Sequence, residues 1–93
     1  MYDSVLGELS RRKYSIKRSE LTGLLESLGF KIREGNKGKH STYTHKAFVM
    51  HPGGAFNGEH GKDGLIKMPY ILDAIKIIRA HQEEIMEYIG EKK

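Results

Sequence analysis

The sequence has no cysteine, no tryptophan and only two prolines. Without cysteine there is no disulfide and no thiolate for zinc, iron or nucleophilic catalysis. No apolar run approaches the roughly 20 residues that cross a bilayer, and the start of the chain lacks the charged and apolar regions of a signal peptide. We therefore expect a cytoplasmic protein that contacts no membrane and is held together by packing.

The basic charge is concentrated in one half of the chain. The net charge is +4 over 93 residues, but residues 11–46 hold ten Lys and Arg against three Glu, a local net charge of +7. A contiguous basic patch on a domain this small favours a polyphosphate partner, because each Lys or Arg laid against a phosphate releases counterions. Composition alone leaves open a basic face that serves only solubility.

Three segments have apolar residues at helical spacing. A short N-terminal helix is predicted within residues 3–10, a Leu-rich helix within 20–28 with Gly29 as its left-handed end, and a final helix from Pro69 to about residue 89. The apolar positions that carry them are Val5, Leu6 and Leu9, then Leu21, Leu24, Leu25 and Leu28, then Ile71, Ile75, Ile78, Ile85 and Ile89.

Between the last two helices the period changes to two, which predicts strands. Residues 30–33 and 39–45 form a predicted antiparallel hairpin around a Gly- and Asn-containing turn at 34–38, and a third strand falls within 47–57. The predicted fold class is α+β. It is a two-layer αβββα arrangement, with a three-stranded antiparallel sheet and helices on one face, an extra N-terminal helix and a lengthened C-terminal helix.

The candidate catalytic residue is His40, at the opening of the second strand and close to Lys37 and Lys39. An imidazole titrates near neutral pH, so it could take the proton of a ribose 2′-hydroxyl or protonate a departing 5′-oxygen. Neighbouring cations would stabilise the charge that develops on the phosphate. Such a reaction needs no metal or cofactor. The alternative is that His40 is merely an exposed polar residue.

Other chemistries have weaker support. The five histidines, His40, His45, His51, His60 and His81, show no zinc-site spacing, and cysteine is absent. The glycines of residues 58–64 lack the Gly-Lys-Ser/Thr ending of a phosphate-binding loop. Tyr43, Phe48 and Phe56 could stack on bases. Core packing is favoured for the two Phe, whereas Tyr43 stays a candidate for either role.

The order of motifs resembles the HicA toxin family. Its specific core is the Leu-rich helix that ends in Gly29-Phe30, followed by Gly38-Lys39-His40 with Tyr43 in a Gly-x-His-x-x-Tyr pattern. The resemblance spans about residues 17–78, with a weaker match at 59–62 that includes His60. Lys39 occupies a position that is commonly Ser in the family, and residues 46–54 look like an insertion.

The resemblance implies a double-stranded-RNA-binding-like αβββα fold and the toxin of a bacterial type II toxin–antitoxin pair. It implies an mRNA-cleaving endoribonuclease, neutralised by a HicB-type antitoxin, whose catalytic histidine falls on His40. Residues 1–93 would form a single domain, with a core at 17–81, an N-terminal extension at 1–16 and a C-terminal helix extension at 82–93. The RNA-binding candidates are Lys31, Arg33, Lys37, Lys39 and Tyr43.

Two other function classes stay open at this point. The same basic face could bind RNA or DNA without cleaving it, as a non-catalytic module. The chain could instead be a structural or regulatory protein whose additional helices bind another chain. The distal part of the last helix, Ile85 to Ile89, is a candidate surface for the antitoxin or for a second copy of this protein.

Overall fold

The structure is a computed structural model, and it describes residues 1–35, 40–49, 54–57 and 64–91. Seven elements follow one another along the chain. They are α1 (Tyr2–Arg11), α2 (Arg18–Ser27), β1 (Phe30–Glu34), β2 (His40–His45), β3 (Gly54–Asn57), α3 (Met68–Ala80) and α4 (Gln82–Tyr88). In these ranges, the helices are all too short or too polar to span a bilayer.

The three strands form one antiparallel sheet in the order β1-β2-β3. Phe30 of β1 pairs with His45, and His40 at the other end of β2 pairs with Asn57 of β3. The predicted α+β class and the three-stranded antiparallel sheet are therefore confirmed. The third strand is the second half of the predicted 47–57 region, while Phe48 in the first half makes only an isolated bridge to His45.

Side chains alternate between the two faces of the sheet along each strand, and the helices cover one of these faces. Helix α2 packs near β1 and α3 near β3. Phe30, Tyr43 and Phe56 point into the layer between sheet and helices and are at most 3% exposed. The helices fill this layer with fully buried aliphatic side chains: Leu21, Leu25, Ile71, Ala74 and Ile78.

Helix α1 shares this core by packing on α3. Its buried face carries Tyr2, Val5 and Leu9, and the Tyr2 hydroxyl donates a hydrogen bond to the carbonyl of Ile78 at 3.0 Å. The Glu91 carboxylate accepts the backbone N–H of Tyr2 at 2.8 Å and pairs with the N-terminal ammonium at 2.7 Å. The predicted N-terminal helix is therefore an integral part of the hydrophobic core.

The predicted continuous C-terminal helix is divided at His81. Helix α3 ends at Ala80 and α4 begins at Gln82, because His81 has φ −119° and ψ 33°, outside the helical region. Its ring stacks on Phe48 with a centroid distance of 3.9 Å and an interplanar angle of 3°. The break lets Ile85 point into the core, where it is fully buried.

The connector between α1 and α2 is tied to the segment before α3. Ile16 and Ile66 are both buried, and the N–H of Ile66 donates to the carbonyl of Ile16 at 2.9 Å. Lys17, the residue before α2, forms an isolated bridge with Leu65. The Glu20 carboxylate accepts the N–H of Lys17 at 3.0 Å, which satisfies a backbone donor at the start of α2. The pairing of residues 16–17 with 65–66 ties the start of α2 to the segment before α3.

Candidate nucleic-acid interface and active site

The side chains on the second face of the sheet point away from the helices. Alternation along the strands places every second side chain there, and Lys31, Arg33, His40, Thr44 and Asn57 are exposed. We call this surface the outer face, and its members are Lys31, Arg33, His40, Thr42, Thr44, Ala55 and Asn57. It brings the candidate catalytic histidine and two predicted RNA-binding residues onto one surface.

The outer face is positively charged within the strands. Lys31 and Arg33 of β1 stand beside Thr44 and Thr42 of β2, and these four residues line a shallow depression. The carboxylate that the strands do contain, on Glu34, belongs to the opposite face, where it accepts a hydrogen bond from Arg18 at 3.1 Å. Two cations with adjacent hydroxyl groups can hold an anionic backbone.

The imidazole of His40 is exposed where β2 begins. Gly35, the residue that follows β1, donates its N–H to the His40 carbonyl at 2.6 Å and has no side chain to cover the ring. Arg33 pairs with Thr42 and is therefore the diagonal neighbour of His40. Diagonal neighbours are about 7–8 Å apart, within reach of a long side chain. A phosphate held by Arg33 would therefore lie near the imidazole.

One edge of the His40 ring is held by a short chain of hydrogen bonds. Nδ1 of His40 lies 2.6 Å from Oδ1 of Asn57, its partner across the strand pair. The side-chain nitrogen of Asn57 donates in turn to the hydroxyl oxygen of Tyr70 in α3 at 2.9 Å. The ring is thus oriented by two elements that follow it in the chain.

The structure brings together three of the sequence candidates. Lys31, Arg33 and His40 lie together on the outer face. Lys37 and Lys39 lie outside the described residues, as does His60. Asn57 and Tyr70 contact or support His40 and were not recognised from the sequence, because only the β2–β3 register brings them to it.

Tyr43 does not belong to the outer face. Its side chain is 1% exposed and points toward the helices, with its ring edge-on to Phe30 at a centroid distance of 5.5 Å. The proposed stacking of Tyr43 on an RNA base does not fit this position, so Tyr43 is a core residue in the structure. Gly54 lies opposite it on β3 and leaves room for the ring.

Burial also affects the ionisation of Tyr43, whose hydroxyl is buried and has no hydrogen-bond partner among the described residues. Desolvation, with a smaller contribution from Asp73, raises the pKa of Tyr43 to about 12. Since its pKa in the unfolded chain is about 10, the folded state favours the neutral phenol. That contribution to stability is fully present below pH 10 and is lost as the pH rises through about 12.

We therefore expect Tyr43→Phe to reduce the decrease in the free energy of unfolding that the wild type shows at alkaline pH. Two pKa units correspond to on the order of 2–3 kcal/mol that the wild type loses between about pH 10 and 12. The measurement is the free energy of unfolding from urea titrations across this range. Tyr2, whose pKa burial also raises, remains in both proteins and leaves a residual slope. Equal slopes in the two proteins would contradict the prediction.

His45 has a structural environment that differs from that of His40. It is 6% exposed and stacks on Phe48 at a centroid distance of 4.8 Å. Its Nδ1 accepts the N–H of Ala47 at 3.0 Å, so Nε2 carries the proton and donates to the carbonyl of Leu28 at 2.8 Å. Over the described ranges no group of three or more metal-binding side chains comes together.

Comparison with known proteins adds no constraint. A scan against protein-family models, a search of curated proteins and a search of solved structures each gave no match.

Proposed function

We propose that this protein is a metal-independent endoribonuclease of the HicA type, the toxin of a bacterial type II toxin–antitoxin pair that cleaves messenger RNA in the cytoplasm. The observation that carries the proposal is the exposed imidazole of His40 on the outer face, in the same surface as Lys31 and Arg33. The α+β fold with a three-stranded antiparallel sheet, which the resemblance implies, supports it.

The chemistry is an attack of RNA on its own backbone. His40 takes the proton of the ribose 2′-hydroxyl, the 2′-oxygen forms a bond to phosphorus, and the bond from phosphorus to the 5′-oxygen breaks. The departing 5′-oxygen receives a proton from the imidazolium or from solvent. The products are a 2′,3′-cyclic phosphate and a 5′-hydroxyl. Arg33 stabilises the additional negative charge on the phosphate oxygens during the transfer.

The placement of aromatic rings indicates how the RNA is held. All eight Phe and Tyr residues of the chain lie in described ranges, and none is a member of the outer face. The outer-face residues therefore offer no Phe or Tyr ring for base stacking, the usual mode of single-strand recognition. The outer face offers cations and hydroxyl groups instead, which contact phosphates and riboses.

The test is a comparison of RNA with DNA of the same sequence. Both are end-labelled and incubated with the purified protein in the presence of EDTA. We expect RNA to be cut to products with 2′,3′-cyclic phosphate ends, and DNA to bind but stay intact because it lacks the 2′-hydroxyl. Cleavage of both, or products with 3′-hydroxyl ends, would contradict the mechanism.

The basic outer face also favours a second candidate, a non-catalytic nucleic-acid-binding module. Lys31 and Arg33 can hold phosphates without any contribution from His40. In the same assay this module would bind RNA and DNA and cut neither. An absence of salt-dependent binding to RNA and to DNA would exclude both the nuclease and the binding module. It would favour a protein that acts only through contacts with other protein chains.

The proposed antitoxin partner follows from the same surface. A HicB-type antitoxin that neutralises the enzyme would cover His40 and place acidic groups against Lys31 and Arg33. A complex in which His40 stays open to solvent would contradict this arrangement.

Removing the two strand cations should weaken RNA binding. We expect Lys31→Gln and Arg33→Gln each to lower affinity and to reduce the slope of log K against log salt by about one, since each loses about one phosphate contact. The measurement is fluorescence anisotropy with a labelled RNA that carries 2′-methoxy groups. Lys76→Gln is the matched control, because Lys76 is an exposed cation on α3 and is not a member of the outer face. An equal effect from all three variants would indicate net charge rather than a defined face.

A further inference from the structure

The hydrogen bonds around His40 define which of its nitrogens carries the proton. Asn57 uses its side-chain nitrogen to donate to the hydroxyl oxygen of Tyr70 at 2.9 Å, and therefore turns its carbonyl oxygen toward His40. That oxygen can only accept. With Oδ1 lying 2.6 Å from Nδ1, a hydrogen bond between the two places the proton of the neutral imidazole on Nδ1. Its lone pair is then on Nε2, away from Asn57.

We infer that Asn57, held by Tyr70, is a positioning residue that fixes His40 in the Nδ1–H tautomer and leaves Nε2 as the proton acceptor. The catalytic significance of this inference rests on the proposed function, in which Nε2 takes the 2′-hydroxyl proton. The tautomer itself is a property of the protein without RNA. It can therefore be measured whether or not the chain cleaves anything.

The side-chain amide of Asn57 is a suitable partner for His40, because a general base must gain and lose a proton in each turnover. Nδ1 donates to Oδ1 of Asn57 in the neutral ring and continues to donate when Nε2 becomes protonated. The ring therefore keeps one orientation through the cycle. A carboxylate at this position would favour the imidazolium and slow its return to the neutral base, whereas an uncharged amide gives orientation without that bias.

The chain of contacts also connects the site to the core side of the molecule. Tyr70 is half-buried in the first turn of α3, three residues after Lys67 and one residue before the fully buried Ile71. Its position is therefore fixed by the packing of α3 on the sheet. Asn57 is the last residue of β3 and is fixed by its pairing with His40. Both partners of the relay are thus held by regular secondary structure.

The experiment is ¹⁵N NMR of the histidine side chains in the whole chain, at a pH where the imidazole rings are neutral. RNA cleavage is measured in parallel. We expect wild-type His40 to show a protonated Nδ1 and an unprotonated Nε2. Asn57→Leu removes the acceptor at similar volume, and should shift His40 toward the Nε2–H tautomer that predominates in free histidine. Tyr70→Phe should move it in the same direction by less.

The kinetic expectation separates positioning from binding. The loss of one hydrogen bond that orients the base should lower kcat roughly two- to tenfold in Asn57→Leu, with little change in KM. Tyr88→Phe, which removes a phenol hydroxyl on α4, is the matched control for Tyr70→Phe and should leave both tautomer and kcat unchanged. Circular dichroism of each variant verifies the fold.

The possible failures are distinguishable. A wild-type His40 that is mainly Nε2–H, or a tautomer ratio that Asn57→Leu leaves unchanged, would overturn the positioning role even if RNA is cleaved. The expected tautomer without cleavage of RNA would support the positioning role and exclude the nuclease.

Discussion

His40→Gln is expected to reduce RNA cleavage by at least about a hundredfold while leaving nucleic-acid affinity within about twofold. A positioned general base contributes roughly 10²- to 10⁴-fold to rate, and glutamine keeps a polar side chain but cannot take a proton at neutral pH. Affinity should survive because Lys31 and Arg33, the proposed phosphate contacts, are unchanged. The measurements are single-turnover cleavage of labelled RNA and binding of a 2′-methoxy analogue.

The matched control for this experiment is His81→Gln. His81 stacks on Phe48 beside α4, and is not a member of the outer face. The His81→Gln variant should cleave RNA at the wild-type rate even if its melting temperature falls. In cells, induced wild type should arrest growth and deplete bulk messenger RNA, and His40→Gln should do neither. Equal cleavage by wild type and His40→Gln would remove His40 from the mechanism.

A large loss of stability is expected when Gly54 gains a side chain. A Cβ at this position would lie 2.6 Å from the hydroxyl oxygen of Tyr43 and nearer still to its ring carbons. The ring cannot move aside easily, because Phe30 and Phe56 pack around it. We expect Gly54→Ala to destabilise the protein by about 1–3 kcal/mol, the usual range for overpacking a core. Thermal and urea unfolding measure this.

The control is the same substitution where there is space. Gly23 lies in α2, where an added Cβ would have no atom within 4 Å beyond those of its own helical turns. Gly23→Ala should therefore stabilise by about 0.5–1 kcal/mol through helix propensity. Tyr43→Ala provides a second background for the same substitution. In that background, adding Gly54→Ala should cost little, because the clash is gone. Additive effects would contradict steric conflict with Tyr43.

The order of elements could be predicted from hydrophobic periodicity. The Leu21 to Leu28 spacing and the alternation after Gly29 indicate a helix followed at once by a strand, and the structure has both. Gly29 has φ +98°, as expected for a left-handed helix end. Periodicity works here because each element buries one side against the same core.

The break at His81 and the core role of Ile16 could not be predicted in this way. Both depend on contacts between distant segments: His81 with Phe48, and Ile16 with Ile66. A single isoleucine in a basic connector has no period to reveal it. Similarly, Asn57 reaches His40 only through the β2–β3 register, which depends on the fit of Tyr43 over Gly54.

The position of Tyr43 is different, because the sequence contains enough information to assign it. His40 and Tyr43 are three residues apart in one strand, so their side chains must point to opposite faces. Only one of them can contact RNA on a given face. Once His40 is taken as the solvent-exposed base, strand geometry alone assigns Tyr43 to the core.

The alternation that separates these faces also links folding to activity. If β1 shifted by one residue against β2, Lys31 and Arg33 would turn toward the helices, and Phe30 would turn to water. Burying two unpaired cations is too costly for such a molecule to persist. We therefore expect a chain with a displaced strand to unfold rather than to present a partly assembled outer face. For the proposed toxin, errors in strand pairing would thus produce inactive molecules and not enzymes of altered specificity.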